Sequence, residues 1–281
     1  MVEAERVAAT NSQGVHGRRR VGTGESFWQF RRYQEGDSAS AIDWRQSAKR
    51  IPIYIRQNEW EAAQSVWLWR DASPSMAYRS NRELPAKADR ATVLLLALAA
   101  LLLRGGEHVG LLGDDRTARS GRATLDHMTA RLLRPATATS LPAPAPLPRH
   151  AQIVLIGDFL APLEDMHATI RGFAAAGAMG HLLQIVDPAE SDLPFAGRVR
   201  FEGVEGEGDF LAGRAESLRE SYFERLEARH EALKAMARTT GWTFASHRTD
   251  RSPQTALLAL YAALTGGPLA AQSPAAARIG P

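Results

Sequence analysis

Cysteine is absent from the 281-residue chain. That excludes a disulfide framework, a thiolate metal site and a cysteine nucleophile, and it suits a reducing compartment. An excess of one charge is nearly absent as well. Lys and Arg number 34 against 31 Asp and Glu, too small a bias for a nucleic-acid footprint even with a sequence pI near 9.5. Arg18, Arg19 and Arg20 form the only tight basic run, inside a Gly-rich N-terminus that reads as a solvated tail. The opening MVEAERVAATNSQ lacks the apolar core of a signal peptide, so a cytoplasmic location is expected.

Long apolar runs are also missing. Ala91 to Leu103 (ATVLLLALAALLL) lies between Arg90 and Arg104 and falls short of the roughly 20 residues that span a bilayer. It reads as a helix buried on nearly all sides, and no transmembrane segment is expected. No G-x-x-x-x-G-K-[ST], H-E-x-x-H or G-x-S-x-G occurs, which removes a P-loop ATPase, a zinc-peptidase site and a nucleophile elbow. There is no convincing internal repeat.

What remains is a globular chain, 44% hydrophobic and 23% charged, long enough to bury a full core. Residues 1–20 and 266–281 read as disordered ends, and residues 21–62 as a separate N-terminal segment. That segment mixes aromatic and polar residues without a clean period, so loops, a short helical turn and a strand at Ile51 to Gln57 are expected. Its Glu35, Asp37, Asp43, Arg31, Arg32 and Arg45 suit ion pairs, with Trp28, Tyr33 and Trp44 as apolar anchors. A partner surface is the rival use of the same residues.

Residues 63–265 form the main domain. Short apolar strands are expected at Ser65–Trp69, His108–Leu112, Gln152–Ile156, His181–Val186 and Trp242–His247. Helices are expected at Pro85–Arg104, Ala123–Arg134, Leu163–Ala176, Arg214–Arg238 and Pro253–Leu264. This alternation predicts an α/β fold, a Rossmann-like, mostly parallel sheet with helices on both faces. Pro135–Pro148 (PATATSLPAPAPLP) replaces a crossover helix by an extended connection. Val199–Val204 and Asp209–Leu211 read as a peripheral hairpin.

The chemistry gathers at Leu68 to Ser80, LWRDASPSMAYRS. Asp71 follows the first strand at its carboxyl end, where open parallel sheets bind ligands. Asp158 does the same in IVLIGDFL. Asp71, Ser73, Ser75 and Asp158 offer hard oxygen donors that suit Mg2+, with a position left for an acidic residue of a partner. Alternatively, Ser73 caps the next turn with Pro74 at its first position, and Asp71 satisfies loop amides. As an enzyme, the set would be a Mg2+-dependent phosphoester hydrolase with Asp71 as nucleophile, although a serine stands at 73 where a D-x-D arrangement places its acid. His247, in HRTD after the last strand, reads as structural.

Asp71-Ala72-Ser73-Pro74-Ser75, with Asp158 after a later strand, resembles the metal-ion-dependent adhesion site of von Willebrand factor A domains. FRRYQEGDSASAIDWRQSAK (Phe30 to Lys49) and YIRQNEWE (Tyr54 to Glu61) resemble the signature of the bacterial family called domain of unknown function 58, over roughly residues 21–265. The resemblance implies a von Willebrand factor A-like domain behind a family-specific segment. It also implies a non-catalytic adaptor or chaperone-like role beside a MoxR-type AAA+ ATPase, acting on an unknown client protein. Many members carry membrane helices before the domain. The adhesion site's second-loop threonine maps onto Thr139, with Thr137 and Thr124 as weaker matches. The implied metal set is therefore Asp71, Ser73, Ser75, Thr139 and Asp158.

Overall fold

The computed structural model describes Arg6 and residues 21–32, 42, 44–47, 54–59, 65–114, 117–134, 139–204 and 208–265. Two compact units are present, one within His16–Ala63 and one within Gln64–Pro281. In the small unit, β1 (Val21–Arg32) pairs antiparallel with β2 (Tyr54–Glu59), and α1 (Trp44–Ser47) is a single helical turn.

The larger unit is built on a five-stranded sheet. Its strands are β3 (Ser65–Arg70), β4 (His108–Leu111), β5 (Gln152–Gly157), β6 (Met179–Val186) and β9 (Thr243–Arg248), in the order β4-β3-β5-β6-β9 with every pair parallel. Outside it, β7 (Val199–Glu202) and β8 (Asp209–Ala212) form an antiparallel hairpin. The helices are α2 (Lys87–Arg104), α3 (Arg122–Leu132), α4 (Leu163–Ala175), α5 (Pro188–Asp192), α6 (Arg219–Thr240) and α7 (Pro253–Thr265). This is the expected α/β arrangement, and the chain reverses direction across the sheet between β3 and β5. At such a switch the loops leaving two adjacent strands diverge to opposite faces and leave a crevice.

Period-two side chains on the central strands separate two cores. Val66, Leu68, Val154, Ile156, Leu183 and Ile185 face a core closed by α2, α3 and α7. Trp67, Trp69, Ile153, Leu155 and Leu182 face the other, closed by α4 and α6. Every residue of α2 from Leu94 to Leu102 is buried, as the unbroken apolar run predicts. The Pro-rich connection runs without helix over residues 139–148. Leu141, Ala145 and Leu147 pack it on the second core, where a crossover helix would otherwise lie.

Two readings of the N-terminal segment differ from the structure. Val21–Arg32 is a strand of 12 residues where loops were expected, and its register is irregular between Val21 and Ser26 and between Phe27 and Gln29. Irregular pairing breaks the two-residue period on which a strand reading depends. Trp44, expected as an anchor, is 66% exposed. Glu35, Asp37, Asp43 and Tyr33 lie outside the described residues.

Gly180 in β6 sets a close approach. A Cβ there would lie 2.0 Å from the Trp242 ring, whose Nε1 donates to the Ala178 carbonyl at 3.3 Å. Gly180→Ala is expected to lower unfolding stability by ~3 kcal/mol through overpacking, read from urea denaturation.

Two buried histidines give the sheet an acid limit. His181 shares a 2.8 Å hydrogen bond with Thr243 Oγ1, and the Nε2 atoms of His181 and His247 are buried without a hydrogen-bond partner among the described residues. Burial lowers each from 6.5 to about 4, with Arg90 adding to the effect at His247. Between those values the unfolded chain binds protons that the folded chain refuses. Their contribution is therefore complete above about pH 6.5 and declines as pH falls toward about 4. Urea midpoints measured across that window are expected to fall, and His181→Gln is expected to shallow the fall.

Candidate functional site

The crevice begins where β3 outruns its ladder. Asp71 N still donates to Ile156 O at 2.9 Å, so the carboxylate is placed against the end of β5. Gly157 makes this possible, since a Cβ there would meet Asp71 Cβ at 2.7 Å. Asp71 Oδ1 accepts from Ser73 N at 2.8 Å, which curls the backbone into the 3₁₀ turn Pro74–Ala77. Ser73 holds the N-cap position of that turn but makes no side-chain cap. Ser75 Oγ gives its proton to Asp158 Oδ2 at 2.6 Å. Ser73 is then the donor in the 3.0 Å contact between the two serine hydroxyls. Asp71, Ser73, Ser75 and Asp158 are all buried and gathered into one network.

A cation stands in the middle of it. Lys87, the first residue of α2, is completely buried and places Nζ 3.0 Å from Asp158 Oδ2 and 2.5 Å from Glu190 Oε1. Its ammonium is 5.9 Å from the centre of the Tyr78 ring. Burial alone would lower the lysine pKa, but Asp158 and Glu190 outweigh it and hold the group above its ordinary value. Burial raises the Glu190 carboxyl, against the pull of Lys87. Glu190 is set by a capping box on α5: Asp187 Oδ1 accepts from Ala189 N at 2.8 Å, and Glu190 Oε2 accepts from Asp187 N at 2.8 Å. Asp187 Oδ2 also accepts from Ser80 N at 3.0 Å, tying the 3₁₀ loop to α5. Tyr222 donates to Glu190 O at 2.5 Å, and burial, followed by Glu190 and Tyr78, raises its phenol to about 12.

The loop after Asp158 is braced from outside. Phe159 has φ 55, in the left-handed region, with a fully buried ring, an unfavourable backbone for a bulky residue. Arg229 Nε donates to Phe159 O at 2.9 Å, and the same guanidinium reaches Ala161 O. Gln184 Nε2 donates to Asp158 O at 3.1 Å, and His230 pairs with Gln184 Oε1 at 2.6 Å. The residue left facing outward is Leu160, 48% exposed. Next to the crevice a cleft of about 340 Å³ opens between the ends of β3 and β4, lined in part by Arg70, Ala72, Leu112, Asp114, Thr139 and Leu141.

Of the residues expected to hold Mg2+, the structure brings Asp71, Ser73, Ser75 and Asp158 together. Thr139 arrives through its backbone, its carbonyl accepting from Ala72 N at 3.1 Å, while the residue itself is exposed. Thr124 sits in the first turn of α3 and donates to Ser120 O at 3.1 Å. Thr137 lies outside the described residues. His247, expected to be structural, is buried in β9.

The donor chemistry is right for a hard cation, but the neighbourhood is not. At an effective dielectric of about 20, unit charges about 4 Å apart repel by roughly 4 kcal/mol, and a divalent ion beside an ammonium by about twice that. Arg70 interacts electrostatically with Asp71, and Arg229 with Asp158. The crevice acids thus have cations of their own, and as folded the set does not fit a resident Mg2+.

Lys87 and Glu190 are the residues that motif reading passes over. A lysine opening an apolar helix was a signal, because the positive end of a helix dipole disfavours a cation there. The D-P-A-E run at Asp187 was a capping-box signature.

Lys87→Met keeps the side-chain length but leaves Asp158 and Glu190 without their ammonium. It is expected to lower unfolding stability by ~3–5 kcal/mol, the range for breaking a buried pair from one side, measured by urea denaturation.

Among solved structures, an aerotolerance-related membrane protein from Bacteroides fragilis NCTC 9343, with multiple mutations to serines, is similar at 15% identity and a TM-score of 0.42, over 72% of this chain and 99% of that one. BatB from Bacteroides thetaiotaomicron is similar at 14% identity and a TM-score of 0.35, over 69% and 95%. An uncharacterized membrane spanning protein from Vibrio fischeri is similar at 17% identity and a TM-score of 0.19, over 70% and 96%. Among the described residues of this chain no helix is long and apolar enough to cross a membrane. No curated protein matches it. The family model described as "Protein of unknown function DUF58" matches residues 29–233, most of the chain. The chain therefore belongs to the DUF58 family.

Proposed function

We propose that the chain is a non-catalytic protein-interaction module, an adaptor or co-chaperone that works from the β3–β5 crevice with a MoxR-type AAA+ ATPase and a client protein, in the cytoplasm. The observation carrying this reading is the Asp158-Phe159-Leu160 turn. A buried, left-handed Phe159 is braced by Arg229, and the next residue, Leu160, stands exposed while its amide donates to Asp158 Oδ1 at 3.3 Å. Strain held in place by surrounding hydrogen bonds, with an exposed apolar tip, suits a surface that meets a partner without reorganising.

The hydrolase alternative asks for a nucleophile within reach of substrate. Asp71 has no exposed surface and Ser75 is nearly as deep, and Asp71 Oδ1 already accepts from the Ser73 amide. An attacking carboxylate would have to break that loop. The interaction reading leaves the loop intact, and it is independent of whether an ion is present.

Capture of a MoxR-type AAA+ ATPase on the immobilised chain, with a slowly hydrolysed ATP analogue present, tests the assignment. The wild type is expected to retain the ATPase. Leu160→Glu is expected to weaken retention about tenfold, the loss of one apolar contact at an interface, with the thermal midpoint unchanged. Failure of the wild type to retain the ATPase would sink the partner, and phosphomonoester turnover abolished by Asp71→Ala would sink the non-catalytic role.

A further inference from the structure

We infer that Lys87 is the resident cation of the crevice: its ammonium takes the place beside Asp158 that a divalent ion would otherwise hold, so the crevice is complete without metal. The inference rests on the reading of the β3–β5 crevice as the working site, and concerns what fills it.

The geometry supplies the argument. Asp158 Oδ2 accepts from both Ser75 Oγ at 2.6 Å and Lys87 Nζ at 3.0 Å. A hydroxyl and a cation converging on one carboxylate oxygen reproduce the chemistry of an ion and its serine ligand, with the cation supplied by the chain. The lysine is anchored at the foot of α2, where Lys87 N donates to Tyr78 O at 3.2 Å. Its far end is also held by Glu190 Oε1 at 2.5 Å, a carboxylate set by the capping box of α5.

The side chain has no exposed surface, so the ammonium is not a surface lysine that has wandered inward. A fully buried lysine is retained only where paired acids compensate its lost hydration. The helix start that carries it disfavours positive charge, so the local sequence gives it no other reason to be there.

A tethered cation differs from a bound one in measurable ways. It is not removed by chelation, and it excludes a second cation from the same oxygens by repulsion. Taking it away should reopen the place. Lys87→Ala leaves Asp158, Glu190, Ser73 and Ser75 around a vacated volume with hard oxygen donors and net negative charge, which suits Mg2+ or Mn2+.

The test titrates the purified 281-residue chain with MnCl2, following water-proton relaxation and the thermal midpoint, for wild type, Lys87→Ala and Lys87→Gln. Expected for wild type is no saturable binding at millimolar Mn2+ and no change of midpoint with EDTA. Expected for Lys87→Ala is saturable binding and a midpoint raised by Mn2+, lost again in Lys87→Ala/Asp158→Asn. Lys87→Gln, which fills the space with a neutral group, separates the two if the alanine variant does not fold, because it too is expected to bind Mn2+ more tightly than wild type, by about tenfold or more.

Saturable Mn2+ binding to wild type that Asp158→Asn abolishes would overturn the inference. So would folded Lys87→Ala and Lys87→Gln proteins that bind no more Mn2+ than wild type. Neither result depends on capturing an ATPase, so a failed partner assignment and a failed cation assignment are told apart.

Discussion

The contact between the Lys87 ammonium and Asp158 at 3.0 Å is the one on which the upper end of the sheet depends. Parallel strands bring their carboxyl ends to one side. At the β3–β5 switch this delivers Asp71 and Asp158 into buried positions. Two more acids, Asp187 and Glu190, arrive with α5. Carboxylates gathered at that density, three of them buried and Glu190 partly so, are stable only when each has donors or a countercharge. Backbone amides serve Asp71 and Asp187, and Lys87 serves Asp158 and Glu190 at once. One side chain therefore joins the β3 loop, the β5 loop, α5 and the start of α2.

The small residues around this contact follow from it. Gly157 is a glycine because Asp71 must lie against the end of β5. Phe159 accepts a left-handed backbone because the chain has to turn sharply after Asp158, and the Arg229 guanidinium holds the carbonyls that the turn exposes. A ring buried at the same position prevents the turn from relaxing. Rigidity in these loops and exposure of Leu160 are two results of one arrangement. Loops on a rigid scaffold are where binding residues concentrate.

The fold was legible because its strands are short, apolar and separated by helices, and the boundaries of β3, β5 and α4 came within a residue or two of those expected. The Pro-rich crossover was legible for a different reason, since proline cannot continue a helix. Asp71, Ser73, Ser75 and Asp158 were legible as a group by their position after strands. What was hidden in each case needed a contact distant in sequence. Lys87 lies 71 residues from Asp158 and 103 from Glu190; a lysine at a helix start is a local oddity, but nothing local names the acids it pairs with. The long β1 strand was hidden by its irregular register, which removes the alternation that reveals a half-buried strand. Thr139 matched by residue type, yet it reaches the crevice through its carbonyl. Spacing arguments treat a threonine as a hydroxyl and do not see the backbone.

A cation attached to the chain changes what can control the crevice. A dissociable ion makes occupancy follow ion concentration, and its empty site must tolerate unpaired acids. A tethered ammonium is always present at high effective concentration, so the loops it joins keep one arrangement whatever the ionic conditions. Recognition would then be decided at the rim, by the shape around Leu160 and by the cleft that runs past Ala72 and Thr139. Selectivity built that way comes from apolar fit and from polar groups at the edge. A partner could loosen the crevice only by paying the cost of separating Lys87 from Asp158 and Glu190, which is a buried-pair cost.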